Sequence, residues 1–453
     1  MGIKRKIKMK KYYYDFLIVI FTFFCFSPAL FGETAGDTPI KIVFTPDPHA
    51  LLTHLLENHE EIQTYRHMVE SAQGRARQSI GLYLPALNLY GDTGPETVEK
   101  ELIATTNEFR HSVTLKGTQL ITDFGRTTNT IARDEVGLKR AKASLESISQ
   151  QMMRDGITAY INIVRARERL KKAFQSEGRI KELTGIEEVL VKKGAGLTSD
   201  VLQAKSQLAG AMALRVEAQG ELDLAKNHFQ AVFYHFPTSS EIDSFIEITF
   251  PGTQLPNALE SAIDTAVENN PEIRITRFDL ELTRKDISIS KSAYFPSLGL
   301  FAEAINANND DGFKGYKRNY GAGIEFNYNL FRGGSDQAAI SSAIAAKTAA
   351  TTHLEHAQKL VREQVQNSWT QLATLKQRQE LLYQQVDILN NFLELAKKER
   401  TMGTRSLLDV LNGEVNYINA QGTAIAARED TKIAAYNLLF SMGLINLDLF
   451  ANK

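Results

Sequence analysis

From Ser335 to Met402 the chain runs for 68 residues without a glycine or a proline. Those two residues cost a helix interior about 1 and 3 kcal/mol respectively, so a run lacking both is free to form one continuous helix. At 1.5 Å per residue it would be about 100 Å long. Its apolar residues step by seven: Leu354, Val361, Leu375, Leu382, Leu389 and Ala396, with Ser368 filling the gap. Val365, Leu372, Val386 and Leu393 make a second line four residues on from members of the first. That is a coiled-coil seam, so this stretch must lie along a partner helix.

The same plan is written twice. Gly194 and Gly403 lie 209 residues apart, as do Asp200 and Asp409, each of which opens an Asp-Val-Leu phrase. "LENHEEI" (Leu56 to Ile62) matches "VENNPEI" (Val267 to Ile273). "YLPALNLY" matches "YFPSLGLF" with Pro85 over Pro296, and "TDFGR" matches "FRGGS" with Gly125 over Gly334. A fixed long offset is the mark of a structural repeat. The two copies occupy residues 50–235 and 258–445, joined by a proline-bearing linker at 236–257 and followed by a short tail at 446–453. In the first copy the long helix is expected over 126–193 and its return over 198–235; in the second, over 335–402 and 407–441. The two Asp-Val-Leu phrases then sit at the tips of two very long helical hairpins, where an aspartate caps a returning helix well.

Ahead of each long helix the period changes from 3.5 to 2. In "NYGAGIEFNYNLF" one face holds Tyr320, Ala322, Ile324, Phe326, Tyr328 and Leu330, and the other Asn319, Gly321, Gly323, Glu325, Asn327 and Asn329. "HSVTLKGTQL" alternates more weakly. Strands are expected at 84–93, 110–121, 296–305 and 319–331, with "PETVEKELIATTNE" and "NANNDDGFKGYKRN" as polar loops of about 14 residues. Strands of ~10 residues with one apolar face suit an outer membrane barrel. The pattern alone also fits a small sandwich with a wet outer face. Four strands cannot close around a lumen, and an open sheet edge is forbidden in lipid, so a membrane barrel would have to be shared between copies.

The N-terminus carries six Lys/Arg in its first 15 residues, then an uncharged run from Phe16 to Phe26 and the small residues Ser27, Ala29 and Gly32. This reads as a signal peptide over residues 1–32. Cys25, the only cysteine, follows Phe24 where a lipid-attachment site would have a small residue. Without the leader the net charge falls from −1 to about −6, which argues against a nucleic-acid partner.

In this order the pieces resemble the TolC-type outer membrane channel family, from about Leu51 to Leu444. The resemblance rests on "YLPAL" and "YFPSL", on "TDFGRT" and "NLFRGGS", and on the tips "GLTSDVLQA" and "MGTRSLLDVLNG". It implies a mainly α fold with a small transmembrane β part, in which a β-hairpin and a long coiled-coil hairpin are repeated in tandem. It implies a homotrimer with a 12-stranded β-barrel in the outer membrane and a 12-helix α-barrel extending into the periplasm, and no cofactor. As implied partners it brings a periplasmic adaptor (membrane fusion) protein, an inner-membrane transporter and outer membrane lipid, in a tripartite efflux pump or type I secretion system. The tips Gly194, Ala195, Gly196, Leu197, Met402, Gly403 and Thr404 would touch the adaptor.

The resemblance also implies a periplasmic gate. In the family pattern the acid of the first tip bonds an arginine and a tyrosine of the second, and the acid of the second tip forms a ring that traps cations. Asp200 matches the first acid, Arg405 the arginine and Asp409 the ring acid. Arg400 stands where the tyrosine would be, offering Asp200 a second cation, and Asn412 replaces a further acid.

Two other classes compete. A periplasmic adaptor also carries a long helical hairpin, although with one hairpin set in β modules rather than two. An enzyme would need chemistry that the sequence does not offer, for it has no nucleophile motif, phosphate-binding glycine loop or metal cluster. His353 and His356 share a helix face, and a solvated helix surface accounts for them.

Overall fold

The computed structural model describes residues 46–450 apart from 102, 195 and 196; the expected signal peptide lies outside the described residues. The first repeat comprises α1 (Pro48–Asn58), α2 (Glu60–Gly81), β1 (Ala86–Lys100), β2 (Ile103–Thr122), α3 (Arg126–Lys192) and α4 (Thr198–Phe233). After a short α5 (Ser239–Ser244) in the linker come α6 (Leu259–Asn269), α7 (Pro271–Lys291), β3 (Ser297–Asp310), β4 (Phe313–Asn327), α8 (Ser335–Thr401) and α9 (Leu407–Ser441). The helices α3 and α8 both have 67 residues.

Each long helix begins after two residues in the left-handed region, Phe124 and Gly125 in one repeat and Gly333 and Gly334 in the other. The helix α3 packs against α2, α4, α7 and α9, while α8 packs against α6, α7 and α9. On α8 the buried residues include Val361, Val365, Leu372, Leu393 and Ala396, all from the two apolar lines.

The strands form one antiparallel sheet in the order β1-β2-β3-β4. The register sets Leu89 opposite Leu115, Leu115 opposite Ala304, and Ala304 opposite Tyr320, so one face is apolar across all four strands. That face is bare: Leu87, Leu89, Tyr320 and Ile324 are each more than 60 % exposed. The opposite face carries Asp92, Lys116, Glu303 and Glu325, with Phe301 lying against Gly323.

The strands run well beyond the limits expected from alternation. Both 14-residue "loops" are for the most part strand. In the second hairpin only Asp311 (φ 55°) and Gly312 (φ 74°) make the turn, the two-residue left-handed connection that Asp-Gly favours. The extensions carry only scattered apolar residues, Val98, Phe109, Phe313 and Tyr316, among charged and polar ones, so hydrophobic periodicity is weak there. Charge pairing holds them instead: Arg110 reaches Asp92 (2.9 Å) and Asp310 (2.7 Å), Lys314 reaches Glu108 (2.9 Å), and Lys100 joins Asp311 of the other hairpin (3.0 Å). At the other end β4 stops at Asn327, so Tyr328 and Leu330 lie beyond the strand, both exposed.

The linker is tied to the middle of α3 by Tyr160. Its ring is 2 % exposed and packs 4.7 Å from Phe245. Its hydroxyl accepts from the Ile246 N–H and lies 2.9 Å from the carbonyl oxygens of Pro46 and Ile246. Removing the hydroxyl takes the acceptor from the Ile246 N–H in a part-buried site, so Tyr160→Phe should cost about 1–3 kcal/mol. Thermal unfolding of the purified protein measures this, and Phe245→Leu, which keeps the hydroxyl, should leave that hydrogen-bond loss unexpressed.

Candidate functional site

The two helical tips are built alike. Helix α8 ends in a Schellman motif, in which Gly403 N–H donates to Arg400 O (3.0 Å) and Thr404 N–H to Glu399 O (3.0 Å), satisfying carbonyls that a helix end leaves open. Gly403 has φ +78° and Gly194, at the end of α3, φ +77°. Nothing lies within 4 Å of the place a Cβ would take at either. Both are therefore glycine because the turn needs a left-handed residue, and the surface beside them is open. Leu197 and Met402 are 66 % and 69 % exposed. Ala195 and Gly196 lie outside the described residues.

Asp200 and Asp409 are not N-caps. Leu197 and Ser406 hold those positions, and the Ser406 hydroxyl accepts from Asp409 N–H (3.2 Å). The two aspartates occupy the third helical position. There a carboxylate still faces the free N–H groups and favourable dipole of the helix start, which is why the same acid serves at both tips without capping either.

The gate residues fall into separate contacts within one chain. Arg405 lies 3.2 Å from Glu399 and 3.9 Å from Asp409, with its guanidinium 5.1 Å from the centre of the Phe392 ring. Arg400 does not reach Asp200; it pairs with Glu187 of α3 at 3.1 Å and touches Arg405 O. The reason is burial: the Glu187 side chain is only 3 % exposed, and a carboxylate removed from water requires a cation more than an exposed one does. Asp200 accepts from Ser199 Oγ (3.2 Å). The Asn412 carbonyl accepts from Gln207 (3.0 Å), joining α9 to α4.

Slightly further along the helices lies a carboxylate that sequence reading missed. Glu414 of α9 is fully buried, with Arg179 Nε of α3 2.6 Å from Oε1 and Lys397 Nζ of α8 3.9 Å from Oε2. The Arg179 N–H points off the line to the oxygen, so neither oxygen of Glu414 accepts a directed hydrogen bond. Burial pushes the Glu414 carboxyl above the usual range, against the pull of Arg179 and Lys397. A signal for both buried acids was present. Glu187 follows the buried Ile180 by seven residues, and Glu414 follows the buried Leu407 by seven, so each charge falls in the apolar phase of its helix.

Elsewhere His353 and His356 are exposed on α8, beside a cleft they share with Gln150 and Gln364. Among the described residues no group of three or more His, Cys, Asp or Glu is placed to hold a metal ion. Among them, too, no helix is long and apolar enough to cross a membrane.

The outer membrane efflux protein family model matches residues 51–232 and 262–444, one stretch in each repeat. This chain belongs to that family. It is 22 % identical over 346 residues to the outer membrane efflux protein BepC of Brucella suis, covering 76 % of this chain and 75 % of that one. It is 21 % identical over 406 residues to the alkaline protease secretion protein AprF of Pseudomonas aeruginosa, covering 86 % and 83 %. The outer-membrane channel OprN superposes with a TM-score of 0.76 at 19 % identity, covering 88 % of this chain and 90 % of that one. The efflux family sets aside the periplasmic adaptor as an alternative. The protein is an outer membrane channel of the efflux class, mostly helical with a small antiparallel sheet.

Proposed function

We propose that three copies assemble into one export duct, a 12-stranded barrel in the outer membrane continued by a 12-helix tunnel through the periplasm. The observation that carries this is the sheet. Its apolar face is bare and its outer strands β1 and β4 each have one unpaired edge, and lipid tolerates the first but not the second. Copies joined edge to edge remove every edge. The polar face, with Glu303 and Glu325, then lines water. The tunnel delivers cargo from an inner-membrane transporter through a periplasmic adaptor docked at the tips, where Leu197, Met402, Gly403 and Thr404 present an open, partly apolar surface. A pump for small molecules and a type I exporter for proteins both fit this duct, as the names of BepC and AprF illustrate.

The tips close the duct. Among the described residues of its own chain Asp200 makes no ion pair, and its partner in this reading is Arg405 of the neighbouring copy. Asp409, three times over, forms one carboxylate ring; with Asn412 in place of a second acid, that ring binds cations weakly.

The sheet faces provide the test. Ile324 lies on the bare face of β4, three residues from its end, next to Glu325 on the wet face. Ile324→Lys should cost about 2–4 kcal/mol if it reaches the bilayer midplane, seen as loss of heat-resistant trimers from outer membrane fractions. Glu325→Leu should assemble normally. The reverse pattern overturns the assignment of faces, and monomers throughout overturn the shared barrel.

A further inference from the structure

We infer that the β3–β4 turn of each copy is a salt-sensitive lip folded over the duct, narrowing its outer mouth and setting the size of what leaves. This rests on the reading of the polar sheet face as the lumen wall. The long helices leave the sheet at one end, so both hairpin turns lie at the other, the end that faces outside.

The second hairpin does not continue straight to its turn. Lys314 and Gly315 stand opposite Asn309 alone, a bulge of the kind that bends a strand. Asn309 (φ 55°) and Gly315 (φ 110°) are both left-handed there, and Asn309 Oδ1 accepts from Gly315 N–H (3.0 Å). The bend carries the turn onto the first hairpin. A Cβ at Gly312 would stand 3.2 Å from Val98 Cγ1 and 3.3 Å from Thr106 Oγ1. A hairpin lying in the plane of the sheet could not bring Gly312 to Val98, because β2 lies between β3 and β1. The turn therefore crosses β2 over one face. Val98 shares that face with Asp92, since β1 alternates without a break between them, and Asp92 marks the polar side.

Charge holds the turn in place. Lys100 reaches the Asp311 carboxylate (3.0 Å) and the Asp311 carbonyl oxygen (2.8 Å), Arg110 reaches Asp310 (2.7 Å), and Lys314 reaches Glu108 (2.9 Å). Every one of these pairs joins the second hairpin to the first. Lys100, Asp311 and Lys314 are 42 %, 67 % and 79 % exposed. Exposed pairs are individually weak and are screened by salt, so the lip is held yet yields to cargo pushing from within. In a shared barrel the polar face turns inward, and three such lips lean towards the axis.

The experiment uses the full-length channel in intact cells. Val98→Cys with Gly312→Cys places two Cβ atoms 3.4 Å apart, close to the spacing of a disulfide, and mild oxidation should join them within one chain. Separately, one cysteine is placed at Glu325 on the polar face (Glu325→Cys) and labelled from outside with a small and a bulky membrane-impermeant maleimide. Each rate is taken relative to the unfolded chain. The small reagent should react readily and the bulky one slowly. Raised salt, or Lys100→Gln with Lys314→Gln, should speed the bulky reagent severalfold and leave the small one unchanged. The salt comparison needs no substitution at the turn, so a charge variant that fails to fold does not blunt the test. Absence of the disulfide overturns the lip, as does bulky labelling that matches the small reagent and ignores both salt and the charge variant. A disulfide with no labelling at Glu325 by either reagent shows the turn in place and overturns the polar face as the lumen wall.

Discussion

Gly443→Val should destabilise the protein by about 2–5 kcal/mol, among the largest effects of any single change outside the long-helix seams. Gly443 follows α9 with φ +75°, a region that costs an L-residue about 1–2 kcal/mol. A Cβ there would stand 2.7 Å from Asn269 O and 2.9 Å from Asn270 Cα. Those atoms are backbone at the break between α6 and α7, and they cannot step aside as a side-chain tip would, which adds about 1–3 kcal/mol of overpacking. The junction is held on other sides too: Asn270 donates to Ser441 O (2.9 Å), and Gln150 of α3 donates to Gly443 O (3.1 Å). The first repeat offers an internal control. Tyr234 stands 209 residues earlier in the same left-handed conformation (φ 56°). Its ring packs 5.4 Å from His59 and its hydroxyl bonds Glu60, holding that carboxyl below the usual range. Tyr234→Gly trades that bond for relief of strain, so its cost should stay within about 1 kcal/mol. Thermal melts of the two variants check the contrast, and a Gly443→Val cost below about 1 kcal/mol means that the α6–α7 break gives way.

What could be read from the sequence followed how strongly each element advertises itself. The long helices did so doubly, by the absence of Gly and Pro and by a heptad seam whose members Val361, Leu393 and Ala396 are buried. The strands showed only where one face is apolar. Beyond Asp92 and Asn306 the apolar residues thin out to Val98, Phe109, Phe313 and Tyr316, too few to read as alternation, and the strand pairing continues alongside ion pairs that no periodicity records. At the tips the paired glycines signalled the turn, because a helix C-terminus has one dominant solution. The partners of the arginines were not legible in the same way. Arg400 was matched to Asp200 through the family pattern, whereas the folded chain pairs it with Glu187, which is buried where Asp200 is only half-buried. Glu187 and Glu414 look like ordinary surface charges until their heptad phase is counted.

Asp200→Ala together with Arg405→Ser should open the channel, raising conductance in planar bilayers severalfold, while each single change gives a smaller rise. Arg405 is not idle within its own chain, since Glu399 and Asp409 hold it at 3.2 and 3.9 Å. A bond to Asp200 of a neighbour would therefore draw Arg405 from partners it already has, and the net gain is small. An exposed ion pair contributes about 0.2–1 kcal/mol. Three such bonds closed at once give roughly 1–3 kcal/mol, enough to bias a gate and little enough for a docked adaptor to undo. Asp409→Ala has the opposite logic. It removes a competitor for Arg405, leaving that arginine freer to hold Asp200, and it removes the carboxylate ring. The channel should remain closed and lose the divalent-cation inhibition proposed for that ring, which is expected to be weak because Asn412 carries no charge. Unchanged conductance in the double variant overturns the latch between copies and leaves Asp200 with only its favourable place in the first turn of α4. Opening by Asp409→Ala would show instead that the Arg405–Asp409 contact itself keeps the tip shut.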